Sequence, residues 1–277
     1  MNEKLPALKL SNLVVRYGNG CDFCKNDISV MQKNRCPYCK SIWAVRDVSL
    51  NVYNGEILGI VGESGSGKST LMKALYMDIE VNSGKYIIYK NGLENIFEET
   101  IQEKKYVKNH MLGMVYQNPH LGLRMHFSCG ANVAERLISS GERNVAQMNE
   151  ITNRLLEHME VPISRVKEPP KNFSGGMQQR VQIAKAVANN PPILLLDEIT
   201  TGLDLSVQAK VLDLVKRIQR EFKISMIVVS HDLAVIRMLA DRSIVMLDGV
   251  IVESGLTDQI LEDPQHVYTQ TLVSSLL

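Results

Sequence analysis

A glycine-rich segment that also carries a lysine and a serine is the part of this sequence most clearly able to do chemistry. It reads Gly-Glu-Ser-Gly-Ser-Gly-Lys-Ser-Thr over residues 62–70 and follows the apolar run Ile57–Val61. Glycines in this pattern let backbone N–H groups surround phosphate oxygens, and the next helix adds the positive end of its dipole. Lys68 is placed to reach the β- and γ-phosphates, and the Ser69 hydroxyl is suited to magnesium. The segment predicts a binding site for a nucleoside triphosphate.

Two adjacent carboxylates end a second apolar run. Residues 193–196 are Ile-Leu-Leu-Leu, and Asp197 and Glu198 follow them directly. In a phosphoryl-transfer site the first carboxylate of such a pair can orient magnesium, often through water, and the second can polarise an attacking water. Acidic pairs also end strands by chance, but not often at this distance after a phosphate loop. The carboxylate pair therefore reduces the number of functions that a phosphate loop alone would leave open.

A third segment opens a predicted helix with small residues. Residues 173–180 read Phe-Ser-Gly-Gly-Met-Gln-Gln-Arg. A serine followed by two glycines is typical of a helix N-terminus that binds an anion, and it also fits an ordinary capped helix. The residues alone leave both interpretations open.

Four of the five cysteines form two Cys-x-x-Cys pairs, Cys21/Cys24 and Cys36/Cys39, with 11 residues between them. In a reducing compartment such pairs more often hold zinc through four thiolates than form disulfides. Thiols without metal and redox chemistry are the alternatives. We predict structural Zn²⁺ in a small zinc-ribbon-like insertion over residues 20–41.

The remaining sequence predicts the elements that must position these groups. Alternating apolar residues in 8–15 and 43–53 predict an antiparallel sheet that the cysteine segment interrupts. Asp248 and Gly249 predict a tight hairpin. Short continuous apolar runs are typical of parallel strands covered on both faces, and they occur at residues 57–61, 193–196, 226–229 and 243–247. We therefore expect an α/β fold with a doubly wound core and an N-terminal antiparallel β subdomain.

Helical patterns concentrate between residues 120 and 172. Apolar spacing predicts helices over 131–138 and 146–161, before Pro162. We expect a helical subdomain at 120–172 within a single domain of residues 1–277. Cys129 stands apart from the cysteine pairs, and we interpret it as a small buried thiol.

Charge and hydropathy exclude several classes of protein. Lys and Arg number 31 and Asp and Glu number 30, so the net charge of +1 gives no argument for nucleic acid or an anionic membrane as partner. No apolar stretch approaches the roughly 18 residues that span a bilayer, and residues 1–15 lack a basic segment followed by an apolar core. We predict a cytoplasmic protein that does not bind nucleic acid.

With these motifs in this order, the chain resembles the ATP-binding-cassette (ABC) ATPases. The resemblance rests on the phosphate loop, Ser-Gly-Gly-x-Gln at 174–178, the acidic strand end and Val-Ser-His-Asp at 229–232, and it covers nearly the whole chain outside 20–41. It implies an ABC-type P-loop core that hydrolyses ATP with Mg²⁺. It also implies a head-to-tail homodimer, in which the signature helix of one subunit covers ATP held by the other.

The resemblance assigns roles to individual residues of this chain. Glu198 would be the catalytic base, His231 would contact the γ-phosphate, and Asp204 would lie at the dimer seam. Magnesium would be held by Ser69, Gln117 and Asp197. Tyr17 would stack on adenine. The other ATP-binding residues would be Gly62, Glu63, Ser64, Gly65, Ser66, Gly67, Lys68, Ser69, Thr70 and Gln117. The signature acting in trans would consist of Ser174, Gly175, Gly176 and Gln178.

This sequence departs from the family pattern at three places. Ile199 stands where a proline usually follows the catalytic glutamate, and Met177 stands where a glutamine often follows Ser-Gly-Gly. Neither change removes a catalytic group. The insertion begins three residues after Tyr17, so Trp43 at its far end is the alternative residue for stacking on adenine.

A narrower resemblance is to the K-subunit family of the phosphonate carbon-phosphorus lyase system. It rests on residues 132–137, 140–143, 173–180, 253–258 and 268–275. It implies a cassette that binds the soluble lyase core, with a second cassette protein as a further partner, and uses ATP to drive or remodel it. The radical chemistry would belong to another subunit, because the sequence offers no three-cysteine cluster site for a radical S-adenosylmethionine enzyme.

The alternative is the nucleotide-binding subunit of a peptide/nickel-type ABC importer, which residues 252–269 also resemble and which would need a membrane permease. The printed sequence ends at Leu277, before the additional C-terminal segment usual in that branch, and this favours the K-subunit family. A stand-alone regulatory or nucleic-acid-linked cassette is the third class. Its usual marks, two fused cassettes or a basic face, are missing from this sequence.

Overall fold

The computed structural model describes residues 5–26 and 31–274, so residues 27–30 of the cysteine insertion and Ser275, the last residue of the 268–275 segment, lie outside the described residues. The chain forms two compact units. The first comprises residues 1–104 and 228–277, and the second comprises residues 105–227. The phosphate loop and the cysteines belong to the first unit, whereas the acidic strand end and the Ser-Gly-Gly segment belong to the second.

The N-terminal part of the first unit is a three-stranded antiparallel sheet. Its central strand, β1 (Pro6–Tyr17), pairs with β2 (Ile42–Tyr53) on one side and β4 (Ser83–Ile88) on the other. Tyr17 pairs with Ile42, so the cysteine insertion leaves and re-enters the sheet between neighbouring strand ends. The predicted antiparallel subdomain and its interruption by the cysteines are confirmed.

The parallel strands of the first unit carry the phosphate loop. Strand β3 (Ile57–Val61) is buried along its whole length and pairs in parallel with β8 (Arg242–Leu247). Strand β8 then turns back into β9 (Val250–Leu256) through Asp248 and Gly249, which both have positive φ, 47° and 85°. Two consecutive left-handed residues are the signature of a type I′ hairpin, as the Asp-Gly pair predicts.

The helices of the first unit are short. They are α1 (Asp22–Asn26), α2 (Lys68–Leu75), α9 (Leu233–Leu239), α10 (Thr257–Glu262) and α11 (Val267–Ser274). The division between the units falls inside α3 (Ile101–His110) and inside β7 (Ser225–Val229). A 3-10 turn covers Ile96–Glu98.

The second unit combines parallel strands with the predicted helices. Strands β5 (Leu112–Val115) and β6 (Ile193–Asp197) pair in parallel and are fully buried. The helices are α4 (Pro119–Gly122), α5 (Cys129–Ser139), α6 (Val145–His158), α7 (Gly175–Val187) and α8 (Leu205–Phe222), and 3-10 turns cover Ile163–Arg165 and Pro170–Asn172.

Helices α5 and α6 are the two helices that the sequence predicts in this region, although α6 ends three residues early, at His158. Both pack against α7. Cys129, at the start of α5, is fully buried, which raises the pKa of its thiol to about 11 and fits the predicted core role. The 120–172 subdomain stays a prediction, since this region groups with β5 and β6 in one unit.

Candidate nucleotide and metal sites

The phosphate loop joins β3 to α2 and owes its shape to two glycines. Gly62 and Gly67 have φ values of 148° and 103°, a region that side chains rarely adopt. A Cβ on Gly67 would meet the carbonyl oxygen of Ala44 in β2, and a Cβ on Gly62 would meet that of Met246 in β8. The loop is therefore packed against both sheets of the first unit, and only glycine fits at these two positions.

Lys68 lies across this loop. Its ammonium donates to the carbonyl oxygens of Gly62 and Glu63, both at 2.7 Å, and lies 3.3 Å from Oγ of Ser66. The side chain is only 5% exposed, so a buried charge is held by carbonyl dipoles. These contacts aim the ammonium into the loop, where it could exchange carbonyl oxygens for phosphate oxygens without moving far. Ser69 is exposed at the next position of α2.

The C-terminal helix of the first unit also touches the loop. The backbone N–H of Glu63 donates to the Tyr268 hydroxyl at 2.8 Å. Tyr268 itself is positioned by His266, whose ring nitrogen accepts from the Tyr268 N–H at 3.1 Å. No local sequence pattern reveals this contact, because the two residues lie 205 positions apart.

The two residues considered for adenine stacking, Tyr17 and Trp43, differ in their exposure to solvent. Tyr17, at the end of β1, is 46% exposed and has a face available to a base. Trp43 is only 8% exposed and packs on Cys24 and Cys36. The alternative that Trp43 replaces Tyr17 is therefore wrong, because the indole ring is buried in the apolar cluster of the cysteine module, by which we mean the described residues of the 20–41 insertion.

His231 belongs to the first unit and follows β7. The residue before it, Ser230, donates its N–H to the Ile60 carbonyl of β3 at 3.2 Å. The residue after it, Asp232, caps α9 by accepting from Ala234 N–H at 2.8 Å. His231 is thus fixed between a strand anchor and a helix cap, and its ring is exposed.

In the second unit, Gln117 and Glu198 lie together. Gln117 follows β5, and its side-chain amide donates to Oε2 of Glu198 at 2.9 Å. The same oxygen accepts from the Thr201 hydroxyl at 3.1 Å. Two donors therefore fix the orientation of the Glu198 carboxylate. Thr201 is a contact that the sequence analysis missed, although it opens the Thr-Gly-Leu-Asp segment.

The backbone at the acidic strand end is strained. Glu198 has φ of 46°, a left-handed conformation that is unusual for a residue with a side chain. Asp197, the last residue of β6, is 7% exposed, and Ile199 is 3% exposed. The turn at Glu198 thus separates a buried carboxylate from a half-buried one, and Ile199 in the proline position packs into the core.

The Ser-Gly-Gly segment starts α7 with a side-chain cap. Ser174 accepts from the Met177 N–H at 3.4 Å. Gln178 donates to the carbonyl oxygens of Pro170 and Phe173 at 3.0 and 3.1 Å, so it holds the segment that leads into the helix. Ser174 and Gly175 are exposed. The helix is capped and its first turn is exposed. This geometry is compatible with both interpretations of the sequence, an anion-binding N-terminus and an ordinary capped helix.

Asp204 caps α8 in the same way. Its carboxylate accepts from the Val207 N–H at 3.0 Å and from the Ser206 hydroxyl at 2.8 Å. The Val207 N–H and the Ser206 hydroxyl hold the pKa of Asp204 below its usual value. The side chain therefore has a structural task within its own subunit.

The four paired cysteines come together in the first unit. Their sulfur atoms all lie within 4.8 Å of one another. The Sγ–Sγ distances are 3.8 Å for Cys21–Cys24, 3.8 Å for Cys21–Cys36 and 3.7 Å for Cys24–Cys39. A disulfide needs about 2.05 Å. Four thiolates at about 2.3 Å from one tetrahedral zinc are about 3.8 Å apart. The donor set therefore fits a four-thiolate metal site.

The described residues around these sulfurs include an apolar cluster and a stacked pair of rings. Cys24 and Cys36 are fully buried beside Trp43, and the exposed rings of Phe23 and Tyr38 stack with centroids 4.8 Å apart. Hydrogen bonds with the side chain and backbone of Ser41 lower the pKa of Cys39 to about 6. The pKa of Cys21 is instead raised to about 11, because a lowering hydrogen bond with the Cys24 backbone is outweighed by burial and by hydrogen bonds with the other three cysteines.

Among the helices of the described residues, none combines the length and apolar character that a membrane crossing requires.

Comparison with known proteins agrees with this geometry. The protein-family model described as ABC transporter matches residues 45–201. The chain is 44% identical to the "Putative phosphonates utilization ATP-binding protein PhnK" of Escherichia coli K12, over 83% of this chain and 90% of that protein. It is also 38% identical to the "Oligopeptide transport ATP-binding protein OppD" of Bacillus subtilis, over 86% of this chain and 68% of that protein.

A solved structure has the same fold. The dimeric structure of a post-hydrolysis state of the ATP-binding cassette MJ0796 bound to ADP and Pi matches with a TM-score of 0.75 and 28% identity, covering 90% of this chain and 98% of that one. Family model, relatives and fold agree with the phosphate loop and the acidic strand end described above. The chain is an ATPase that belongs to the ABC transporter family of ATP-binding cassettes.

Proposed function

We propose that this chain is an ATP-hydrolysing cassette subunit that forms a head-to-tail homodimer on ATP and drives or remodels a carbon-phosphorus lyase complex during phosphonate degradation. One observation carries the system assignment. The identity of 44% to the protein described as the putative phosphonates utilization ATP-binding protein extends over 90% of that protein. Its partners are then soluble lyase core subunits and a second cassette protein in the cytoplasm.

The proposed hydrolysis uses the residues to which the family resemblance assigns a role. ATP is held by the loop residues 62–70, with Tyr17 stacked on adenine. Ser69, Gln117 and Asp197 would hold magnesium, which would offset the negative charge of the phosphates. Glu198 accepts the proton of the attacking water as the bond between the γ-phosphorus and the leaving oxygen breaks, and His231 contacts the γ-phosphate.

The contacts of Glu198 support its role as base. An exposed glutamate samples many rotamers, whereas this one is held by Gln117 and Thr201 at a turn with strained backbone. Strain and side-chain fixing are typical of groups that must point at a reacting atom. Gln117 binds the same carboxylate, so it can link the metal to the base.

The second half of the site is proposed to come from a partner copy. Ser174, Gly175, Gly176 and Gln178 would cover ATP bound by the other subunit, and Asp204 would lie at the seam. A single phosphate loop leaves the γ-phosphate open to water, and a second helix N-terminus completes the electrostatic clamp. The dimeric state of the similar MJ0796 cassette supports this arrangement.

We also propose that the cysteine module holds structural Zn²⁺ through Cys21, Cys24, Cys36 and Cys39. The sulfur spacing of 3.7 to 3.8 Å supports this, since it matches a thiolate tetrahedron and not a disulfide. In this proposal zinc takes no part in hydrolysis. It stabilises the cysteine insertion, which has few buried residues of its own.

The test is affinity purification of tagged Glu198→Gln from native cells with ATP and magnesium. The amide cannot accept the proton but preserves shape, so this variant should bind ATP, lose turnover and accumulate as a dimer. Soluble and membrane fractions are separated, and co-purifying chains are identified by mass spectrometry. Recovery with soluble lyase subunits supports the proposal.

One control variant sharpens this experiment. Glu150→Gln makes the same charge change at an exposed position of α6 and should retain full turnover and release partners normally. Unchanged turnover in Glu198→Gln would refute its role as base, whatever partner is recovered.

The second candidate is the nucleotide-binding subunit of a peptide/nickel-type importer. It is favoured by the 38% identity to the oligopeptide transport ATP-binding protein. Recovery of Glu198→Gln with a membrane permease, in the membrane fraction, would support this candidate and contradict the lyase assignment.

A further inference from the structure

The cysteine module touches the phosphate loop. The side-chain amide of Asn34 donates to the carbonyl oxygen of Gly65 at 3.3 Å. Gly65 is the exposed tip of the loop, with φ of 86°. Both residues belong to the first unit. An insertion that serves only its own stability would need no contact with the tip of a nucleotide-binding loop.

Backbone hydrogen bonds fix the position of Asn34 within the cysteine module. Its backbone carbonyl accepts from the Trp43 N–H at 2.8 Å. It lies in the tight turn where Gln32 and Arg35 exchange two backbone hydrogen bonds of 3.0 Å, and Cys36 follows directly. The position of the Asn34 side chain therefore depends on the turn that presents Cys36 to the other three sulfurs.

A second connection runs through β2. Trp43 packs on the cysteines, and the next residue, Ala44, places its carbonyl oxygen where a Cβ on Gly67 would be. The Gly249 N–H donates to the carbonyl oxygen of Ser66 at 3.1 Å, and a Cβ on Gly249 would meet the carbonyl oxygens of Trp43 and Ala44. The module thus contacts the tip of the loop through Asn34 and its base through the start of β2.

We propose that the metal-loaded cysteine module is a brace for the phosphate loop, so that affinity for ATP depends on occupancy of the four-cysteine site. The inference rests on the proposed nucleotide and zinc functions. Its physical basis is that a structural metal supplies folding free energy to a small module. Without metal, four close sulfurs lose what holds them together, and Asn34 and Trp43 lose their fixed positions.

The experiment measures the dissociation constant of a fluorescent ATP analogue with magnesium, on the full chain. Zinc content is determined by elemental analysis. We compare native protein, protein stripped by a chelator and returned to magnesium buffer, and the variant Asn34→Ala in both states. Asn54→Ala is the matched control, since the Asn54 amide also donates to a backbone carbonyl of the first unit, that of Leu5 at 3.0 Å.

We expect one bound zinc per chain and an affinity about three- to tenfold weaker in Asn34→Ala, the effect of one hydrogen bond. Stripping zinc should weaken native binding by about tenfold or more. It should weaken Asn34→Ala by a smaller factor, because part of the coupling is already gone. Asn54→Ala should bind like the native protein and keep the full response to zinc.

The possible failures are distinguishable. Native protein that binds no ATP analogue contradicts the proposed nucleotide function, and native protein without metal contradicts the zinc assignment; either overturns the brace. If zinc and ATP both bind but neither Asn34→Ala nor stripping changes the affinity, the brace alone is refuted. Asn34→Ala keeps all four cysteines, so this test does not require a cysteine variant to fold.

Discussion

Two helix N-termini in this chain carry the residues expected to meet ATP, and they are built differently. Helix α2 has Gly67 as its N-cap, a residue with no side chain to offer its first N–H groups. Helix α7 has Ser174, which accepts from the Met177 N–H. The backbone before α2 packs closely against carbonyl oxygens of two sheets. The backbone before α7 instead accepts hydrogen bonds from the side chain of Gln178.

The difference teaches how each N-terminus can use an anion. At α2 no side chain caps the first N–H groups, so we expect the positive end of the helix to interact with a phosphate bound by the same subunit. At α7 the helix is already capped, and its exposed first turn can be stable before any partner arrives. This fits a site whose first half forms in each chain and whose second half is supplied by another copy.

The largest expected effect comes from Gly67→Ala. A Cβ there meets the Ala44 carbonyl oxygen at a φ of 103°, so strain and overlap should destabilise the first unit by about 2–5 kcal/mol and abolish nucleotide binding. Gly65→Ala is the matched variant. Its φ is also positive, but a Cβ would have no described atom within 4 Å, so only about 1–2 kcal/mol is lost. Urea denaturation measures both, and equal losses would contradict the claim that packing fixes this end of the loop.

A smaller effect on stability, but a specific one on turnover, is expected at Ser174. Ser174→Asp keeps an N-cap oxygen, so thermal stability should be preserved, while its charge would oppose a phosphate of the facing subunit and lower ATPase activity about 100-fold. Ser174→Ala should instead lose about 1 kcal/mol of stability.

The Ser174 pair separates capping from action in trans. A turnover rate that follows stability in both variants would mean that Ser174 is a helix cap only. Normal turnover in Ser174→Asp would contradict the proposed dimer clamp.

The smallest effect is expected from Tyr268→Phe. The variant removes the acceptor of the Glu63 N–H and should weaken binding of an ATP analogue by about 0.5–1.5 kcal/mol, up to about tenfold. Tyr89→Phe, at a tyrosine that is 49% exposed in the same unit, should have no effect. An unchanged dissociation constant in Tyr268→Phe would show that α11 does not shape the loop.

The sequence predicts the parts of this molecule that depend on local spacing. Glycines at fixed intervals after an apolar strand specify the phosphate loop, and Asp-Gly between apolar runs specifies the hairpin, because each depends on backbone angles of adjacent residues. The four-cysteine site can likewise be predicted. A short turn brings the two cysteines of each pair together, and one metal can join the two pairs.

What the sequence could not predict are contacts between distant residues. From the sequence, Trp43 is a candidate for stacking on adenine. Only the fold shows that it is buried against Cys24 and Cys36. The contacts of Asn34 with Gly65 and of Tyr268 with Glu63 join residues 31 and 205 positions apart. The positive φ of Glu198 is set by its surroundings, since glutamate has no preference for it.

The division of the chain has a consequence for its synthesis. The second unit is one continuous stretch, residues 105–227, whereas the first needs residues 228–277 to be complete, including strand β8, which pairs with the loop-bearing β3. Domains fold as units while the ribosome works from the N-terminus. The loop-bearing β3 therefore gains its parallel neighbour β8 only after residues 105–227 have been synthesised. Until the nascent chain has passed Leu247, the phosphate loop lacks the strand that packs beside Gly62.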